Sequence, residues 1–192
     1  SYLGYPAFAD ADALKWFSMA YENDWQMLTH TNGDAAIDQL IDIAGQAAEA
    51  FPGKDRRTVM IHGQFLREDQ IDDIKRLGIF PALYPMHTFY WGDWHRDSVA
   101  GKARAGNISP TGWMIDRDIK FSVHSDAPVT FPNSMRILDS AVNRTTRSGA
   151  ILGASHRLRP MDALKAMTIW PAYQHFEEAS KGSLEVGKLA DM

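Results

Sequence analysis

The sequence predicts an α/β fold built on parallel strands, and three observations carry that prediction. Short apolar runs recur along the chain as "WQMLT" (25–29), "TVMI" (58–61), "IFPAL" (79–83) and "IKFSV" (119–123). Stretches with helical periodicity separate them. These separators are too long for a meander, so each connection reads as a right-handed crossover between parallel strands. A doubly wound sheet and a (β/α)8 barrel both satisfy this pattern. Four strands cannot close a barrel, which takes eight strands over ~250 residues. In a barrel, this chain would be the second half.

Taken in order, "DADALKWFSMAYEND" opens with cap-type Asp10 or Asp12 and spaces Leu14, Phe17 and Tyr21 as one helix face. The strand "WQMLT" follows, and then "GDAAIDQLIDIAGQAAEAF" puts Ile37, Leu40, Ile41, Ala44, Ala48 and Phe51 along one side of a helix. After the loop "PGKDRR" comes "TVMI", a buried strand. "REDQIDDIKRLG" is a charged amphipathic helix stopped by Gly78. In "IFPAL", Pro81 argues against a regular strand. From Tyr84 to Asn107 the chain is aromatic and polar, a loop with some helix. "SPTGWMIDRD" reads as a short capped helix before "IKFSV". Two further helices are expected over residues 133–146 and 160–170.

The 192 residues suit one domain of ordinary size or a large part of a bigger one. A formal charge of −4 leaves no electrostatic footprint for nucleic acid or an anionic membrane. No apolar run approaches the ~20 residues that cross a bilayer, and no signal peptide is expected. With no cysteine in the sequence, disulfides and thiolate metal sites are ruled out here, which fits a cytoplasmic setting. Any metal must be held by imidazole and carboxylate. Because Ser1 opens the sequence and "GSLEVGKLADM" ends it as a turn feeds an apolar strand, we expect an internal portion of a longer polypeptide. Its exposed sheet edge would invite homo-oligomer formation.

The chemistry falls at strand ends. "QMLT" runs into His30, "TVMI" into His62 and "KFSVHS" into Asp126. Parallel α/β folds gather their active sites at the carboxyl ends of strands, where residues distant in sequence converge. Two histidines and a carboxylate suit Zn²⁺, Mn²⁺ or Fe²⁺ and leave positions open for water and substrate. Each residue also has an ordinary reading. A histidine after a strand is usually a polar loop residue, and Asp126 could cap a turn before Pro128. Gly63 after His62 would let backbone or substrate come close. Three such residues at equivalent positions weaken the ordinary reading.

Softer candidates surround these. His87, Tyr90, Trp91, Trp94 and His95 crowd "MHTFYWGDWH", which would line a substrate pocket or form a satellite core. Alternation aims His124 to the same side as Asp126, where it supports the site or packs. Asp34 most simply caps the helix that starts at Ala35. Arg144 and Arg147, on one helix face, read as solvated or ion-paired. "GDAAID" has one glycine and is no phosphate loop.

The motifs "HTNGDAAID", "IHGQ", "SDAPV" with Pro132 following, "TRSG" and "GSLEVGKLAD" together resemble the amidohydrolase superfamily. The resemblance is to its branch of N-substituted formamide deformylase-like metal-dependent hydrolases, and it runs over nearly the whole chain in order and spacing. It implies a metal-dependent (β/α)8 barrel joined to a small β-sandwich. His30 would be the fifth-strand histidine, His62 the sixth-strand histidine and Asp126 the eighth-strand aspartate. The histidines would hold metal, and Asp126 would be both ligand and the base that takes a proton from the attacking water. Residues 1–180 would then be strands five to eight of the barrel, and 181–192 the start of the return to the sandwich. The family's HxH motif and its bridging lysine or acid have no counterpart in this sequence, so activity of this segment alone is in doubt.

The implied function is hydrolysis of a non-peptide C–N bond in a small amide-like substrate, with one or two divalent ions, zinc above others, lowering the pKa of bound water towards ~7. His87, Tyr90 and Trp91 would shape the substrate pocket. On the same scaffold a lactonase, phosphotriesterase or deaminase is the alternative enzyme. A degenerate barrel acting as a binding or regulatory protein is the non-catalytic one.

Overall fold

The computed structural model describes residues 4–190. Four strands form one sheet in the order β1 (Leu28–Thr31), β2 (Val59–His62), β3 (Phe80–Leu83) and β4 (Ser122–Val123). All three pairings are parallel, with His30 opposite Ile61 and His62 opposite Leu83. Strand order follows chain order without reversal. A doubly wound sheet reverses its order at a switch point, so the sheet is that of a partial TIM-type barrel. Between and after the strands run α1 (Asp10–Glu22), α2 (Asp34–Ala50), α3 (Ile71–Arg76), α4 (Met86–Trp94), α5 (Gly101–Ala105), α6 (Thr111–Asp116), α7 (Ser134–Asn143), α8 (Pro160–Met167) and α9 (Ile169–Gln174).

α9 packs on one face of the sheet, and α1, α2 and α3 pack on the other. Met60, Leu83 and Val123 point into this second layer, where they meet Ile37, Leu40, Ile43, Ala44 and Ala47 of α2, together with Ile71 and Ile74 of α3. Ile41, Ala48 and Phe51 flank that core half-buried. From α1, Phe17 and Tyr21 join it, and the Tyr21 hydroxyl pairs with Thr58 Oγ1 at 2.7 Å. On the opposite face, Val59, Phe80 and Ala82 are covered by Ile61, Trp170 and Tyr173. Alternation along each strand therefore sorts one apolar set to α1, α2 and α3 and another to the barrel side.

Several local expectations need correction. Neither Asp10 nor Asp12 caps α1; Ala9 holds the N-cap position and both acids lie in the first turn. Asp34 likewise does not cap α2. Gly33 takes that position, while Asp34 is the first helical residue, accepting from Ala35 N at 3.0 Å and pairing with Arg104 Nη2 at 3.0 Å. Its carboxylate still lies where the helix dipole favours negative charge. The 84–107 segment is mostly helical. α4 gives way to a π-helical turn over His95–Val99, closed by Ala100 N to His95 O at 2.8 Å, before α5. Pro81 pairs inside the sheet opposite Met60. Phe80 N–H donates to β2, so position 81 would donate towards β4, whose pairing begins only at Ala82. The missing N–H thus costs no ladder bond.

Arg144 departs furthest from its sequence reading. It is neither solvated nor ion-paired: it is fully buried, in a left-handed conformation (φ 52°) at the end of α7. Its guanidinium donates to three carbonyls, Leu152 O at 2.8 Å, Ser109 O at 3.0 Å and Ile108 O at 2.7 Å. Arg147 is exposed and lies 5.0 Å from the centre of the Tyr90 ring. Among the described residues, no helix is long and apolar enough to cross a membrane. Of the two predicted segments, residues 1–3 and 191–192 lie outside the described residues.

Candidate active site

Each candidate sits at a carboxyl end of the sheet, and backbone geometry decides where its side chain goes. His30 shares its face of β1 with Leu28, and both are exposed. By alternation His62 would follow Met60 into the helix layer. Its φ of 77° breaks that alternation, and its ring instead lies among those of His30, His124, Tyr84 and His87. Such backbone strain in a non-glycine residue is characteristic of functional positions. Gly63 follows at φ 54°, and a Cβ there would lie 2.6 Å from Met60 Cε. What approaches this glycine closely is therefore the Met60 side chain. His124 extends β4, its N–H donating to Leu83 O at 3.2 Å. Asp126, at φ 53°, opens the turn closed by Val129 N to Asp126 O at 2.7 Å.

Three side chains converge. His62, His124 and Asp126 each offer one ligand atom, and these lie within 4.8 Å of one another. His62 Nε2 is 3.9 Å from Asp126 Oδ1. The His30 ring packs edge-on against His62, with centroids 4.6 Å apart, outside that tight set. Tyr84 forms a wall, stacked on His124 at 5.2 Å, with its hydroxyl donating to Thr130 Oγ1 at 2.8 Å. His87 is buried with its ring 5.9 Å from that of His62. Trp91 lies behind it at 6.1 Å, and Tyr90 packs on Trp91 at 5.6 Å. The rest of the aromatic segment disperses. Trp94 is exposed, and His95 turns away to pair with Gln64 Nε2 at 2.7 Å.

The electrostatics favour neutral imidazoles. Burial lowers the pKa of His62, opposed by Asp126 and reinforced by repulsion from His30. Burial, and then the neighbouring His62, bring His124 down to about 4. His87 is pushed to about 2, again chiefly by burial. Tyr84 is raised to about 12 by desolvation, which keeps its phenol protonated. Deprotonated rings present lone pairs, the state a metal ligand requires. His62 Nδ1 and His124 Nε2 are both buried without a hydrogen-bond partner. Unpaired buried nitrogens normally carry a penalty, so this donor set fits a divalent cation.

Sequence reasoning put His62 and Asp126 together and weighed His124 only as support. It missed Tyr84 and Thr130. Tyr84 directly follows β3, so the strand-end rule that singled out the other three could have found it. Thr130, on an irregular turn, left no such signal.

The chain is 29% identical over 188 residues to Protein LONG AFTER FAR-RED 3 of Arabidopsis thaliana, covering 95% of this chain and 32% of that protein. It is 28% identical over 163 residues to the N-substituted formamide deformylase of Arthrobacter pascens, covering 85% and 30% respectively. It thus spans about a third of the length of these relatives. The crystal structure of an uncharacterized metal-dependent hydrolase from Pyrococcus horikoshii OT3 superposes with a TM-score of 0.83 at 21% identity, over 99% of this chain and 38% of that one. At that identity the likeness is one of fold. The model of the amidohydrolase family matches residues 1–192, end to end, and the chain belongs to that family.

Proposed function

We propose that this chain supplies strands five to eight of a metal-dependent hydrolase barrel that cleaves a non-peptide C–N bond in a small amide-like substrate. The observation that carries the reading is the convergence of His62, His124 and Asp126 within 4.8 Å at the strand ends, with two ring nitrogens unpartnered. These three would hold a divalent ion, with His30 across the His62 ring as a further ligand. Zinc suits imidazole and carboxylate donors, and one or two ions fit the resemblance. When bound, such an ion polarises a carbonyl and makes water more acidic.

The chain's own groups do the rest. Asp126, about a third exposed where His62 is buried, accepts the proton of the attacking water at a carboxylate oxygen and passes it to the leaving nitrogen. His87, Tyr90 and Trp91 form the substrate side, a largely apolar wall that limits water. The stretch from residue 181 onward would begin the return to a β-sandwich, and the cytoplasm is the proposed setting. The kinship with an N-substituted formamide deformylase supports an amide substrate.

The test is hydrolysis by the full-length protein of a panel of N-substituted amides, lactones and phosphotriesters, before and after chelation. Amide turnover lost on chelation and restored by zinc is expected. Turnover indifferent to chelation, or confined to lactones or phosphotriesters, overturns the reading.

A further inference from the structure

Ser109 is a strained residue that the reaction outlined above does not use. It is fully buried just before α6, with φ at 47°, a region that L side chains rarely adopt. Its surroundings hold it there. Its N–H donates to Gln64 O at 3.0 Å, and its carbonyl accepts from Thr111 N at 2.9 Å and from Arg144 Nη1 at 3.0 Å. Arg144 also grips the preceding carbonyl, Ile108 O, at 2.7 Å. Backbone strain maintained this firmly directs attention to the side chain.

That side chain reaches the candidate site. Ser109 Oγ donates to Tyr84 O at 2.8 Å and lies 3.4 Å from His87 Nδ1. A hydroxyl has one proton to give. Tyr84 O can only accept, and it is the closer partner, so the proton goes there. Towards His87 the same oxygen is then an acceptor, which requires Nδ1 to carry the N–H. The other ring nitrogen, Nε2, is left bare. We infer that Ser109 is a positioning residue: it holds His87 as the Nδ1–H tautomer and leaves Nε2 to accept a hydrogen bond from an N–H group of the substrate. This deepens the amide reading and rests on it. It selects secondary amides, which carry an N–H, over esters, which have none. Arg144 acts one step further out, by pinning the Ser109 backbone.

The test uses the full-length protein labelled with ¹⁵N-histidine, the His87 signals being assigned by their loss in His87→Gln. The Nδ1–H tautomer is expected for His87 near neutral pH, with a shift towards Nε2–H in Ser109→Ala. Ser109→Gly removes the same hydroxyl while relaxing the positive φ, so it serves if the alanine variant does not fold. Losing one hydrogen bond to substrate should lower kcat/KM for a secondary amide about tenfold and leave the matching ester unchanged. An Nε2–H tautomer in the parent protein, or a tautomer unmoved in both variants, overturns the proposal. So does an equal loss on amide and ester. If the parent protein hydrolyses neither substrate, the amide reading fails, and the tautomer alone decides the role of Ser109.

Discussion

The two ends of the sheet differ in how they treat polar groups. At the amino ends, Gln26, Arg57, Ser122 and Gln174 form a paired network. Gln26 Nε2 donates to Arg57 O and to Gln174 O, both at 2.8 Å, and Ser122 Oγ donates to Gln174 Oε1 at 2.6 Å. The Arg57 guanidinium donates to Tyr173 O, pairs with Glu178 at 2.9 Å, and stacks 3.6 Å from the Tyr173 ring and 4.1 Å from Phe176. At the carboxyl ends, His62 Nδ1 and His124 Nε2 are buried without partners, and the other His62 nitrogen, Nε2, lies 3.9 Å from the Asp126 carboxylate. The lower network makes contacts that need nothing added. The upper one holds lone pairs for something else. Barrel folds divide stability and chemistry between the same two ends.

Substitutions can break that contrast, and the largest effect belongs to the upper end. Asp126→Asn should cut kcat by roughly 10³-fold, a general-base loss, while the melting temperature measured by calorimetry stays near that of the parent. A comparable fall in both would place Asp126 among the structural residues. Arg144→Ala comes next. It leaves the Leu152 and Ile108 carbonyls buried without their donor, while Ser109 O keeps only Thr111 N, and should destabilise the protein by roughly 3–5 kcal/mol in denaturant titration. Arg57→Ala removes a stacked, ion-paired cation at the lower end and should cost about 2 kcal/mol, leaving turnover per folded molecule unchanged.

The smallest effect is a pH slope. His156 is buried away from the site, and burial, with the charge of Arg144 adding to it, holds its pKa at about 4. The unfolded chain takes up that proton near the ordinary value of about 6.5. Between those values the unfolded state binds more protons, so stability falls as pH drops from 6.5 to 4 and levels off below. His156→Gln should flatten that part of the stability–pH curve, and an unchanged slope would contradict the assignment.

Much of this arrangement was legible in the sequence because it rests on local periodicity. Ile37, Leu40 and Ala44 mark the α2 face, and the four apolar runs mark the strands. His30, His62 and Asp126 were visible as strand-end residues. What the sequence concealed depends on single backbone angles or on distant partners. The φ of 77° at His62 changes which rings it meets. The φ of 52° at Arg144 turns an apparent surface cation into a buried clamp on carbonyls 35 and 36 residues away. Pro81 misled because its missing donor matters only if β4 pairs at that level, which no local pattern reveals.

We propose that His62, His124 and Asp126 form a metal site and that the amino ends do not. Metal content of the full-length protein, measured by elemental analysis for the parent, His62→Ala, His124→Ala and Arg57→Ala, tests it most directly. Each histidine variant should lose about one equivalent of divalent metal, and Arg57→Ala should keep the full complement. Full occupancy in both histidine variants would contradict it.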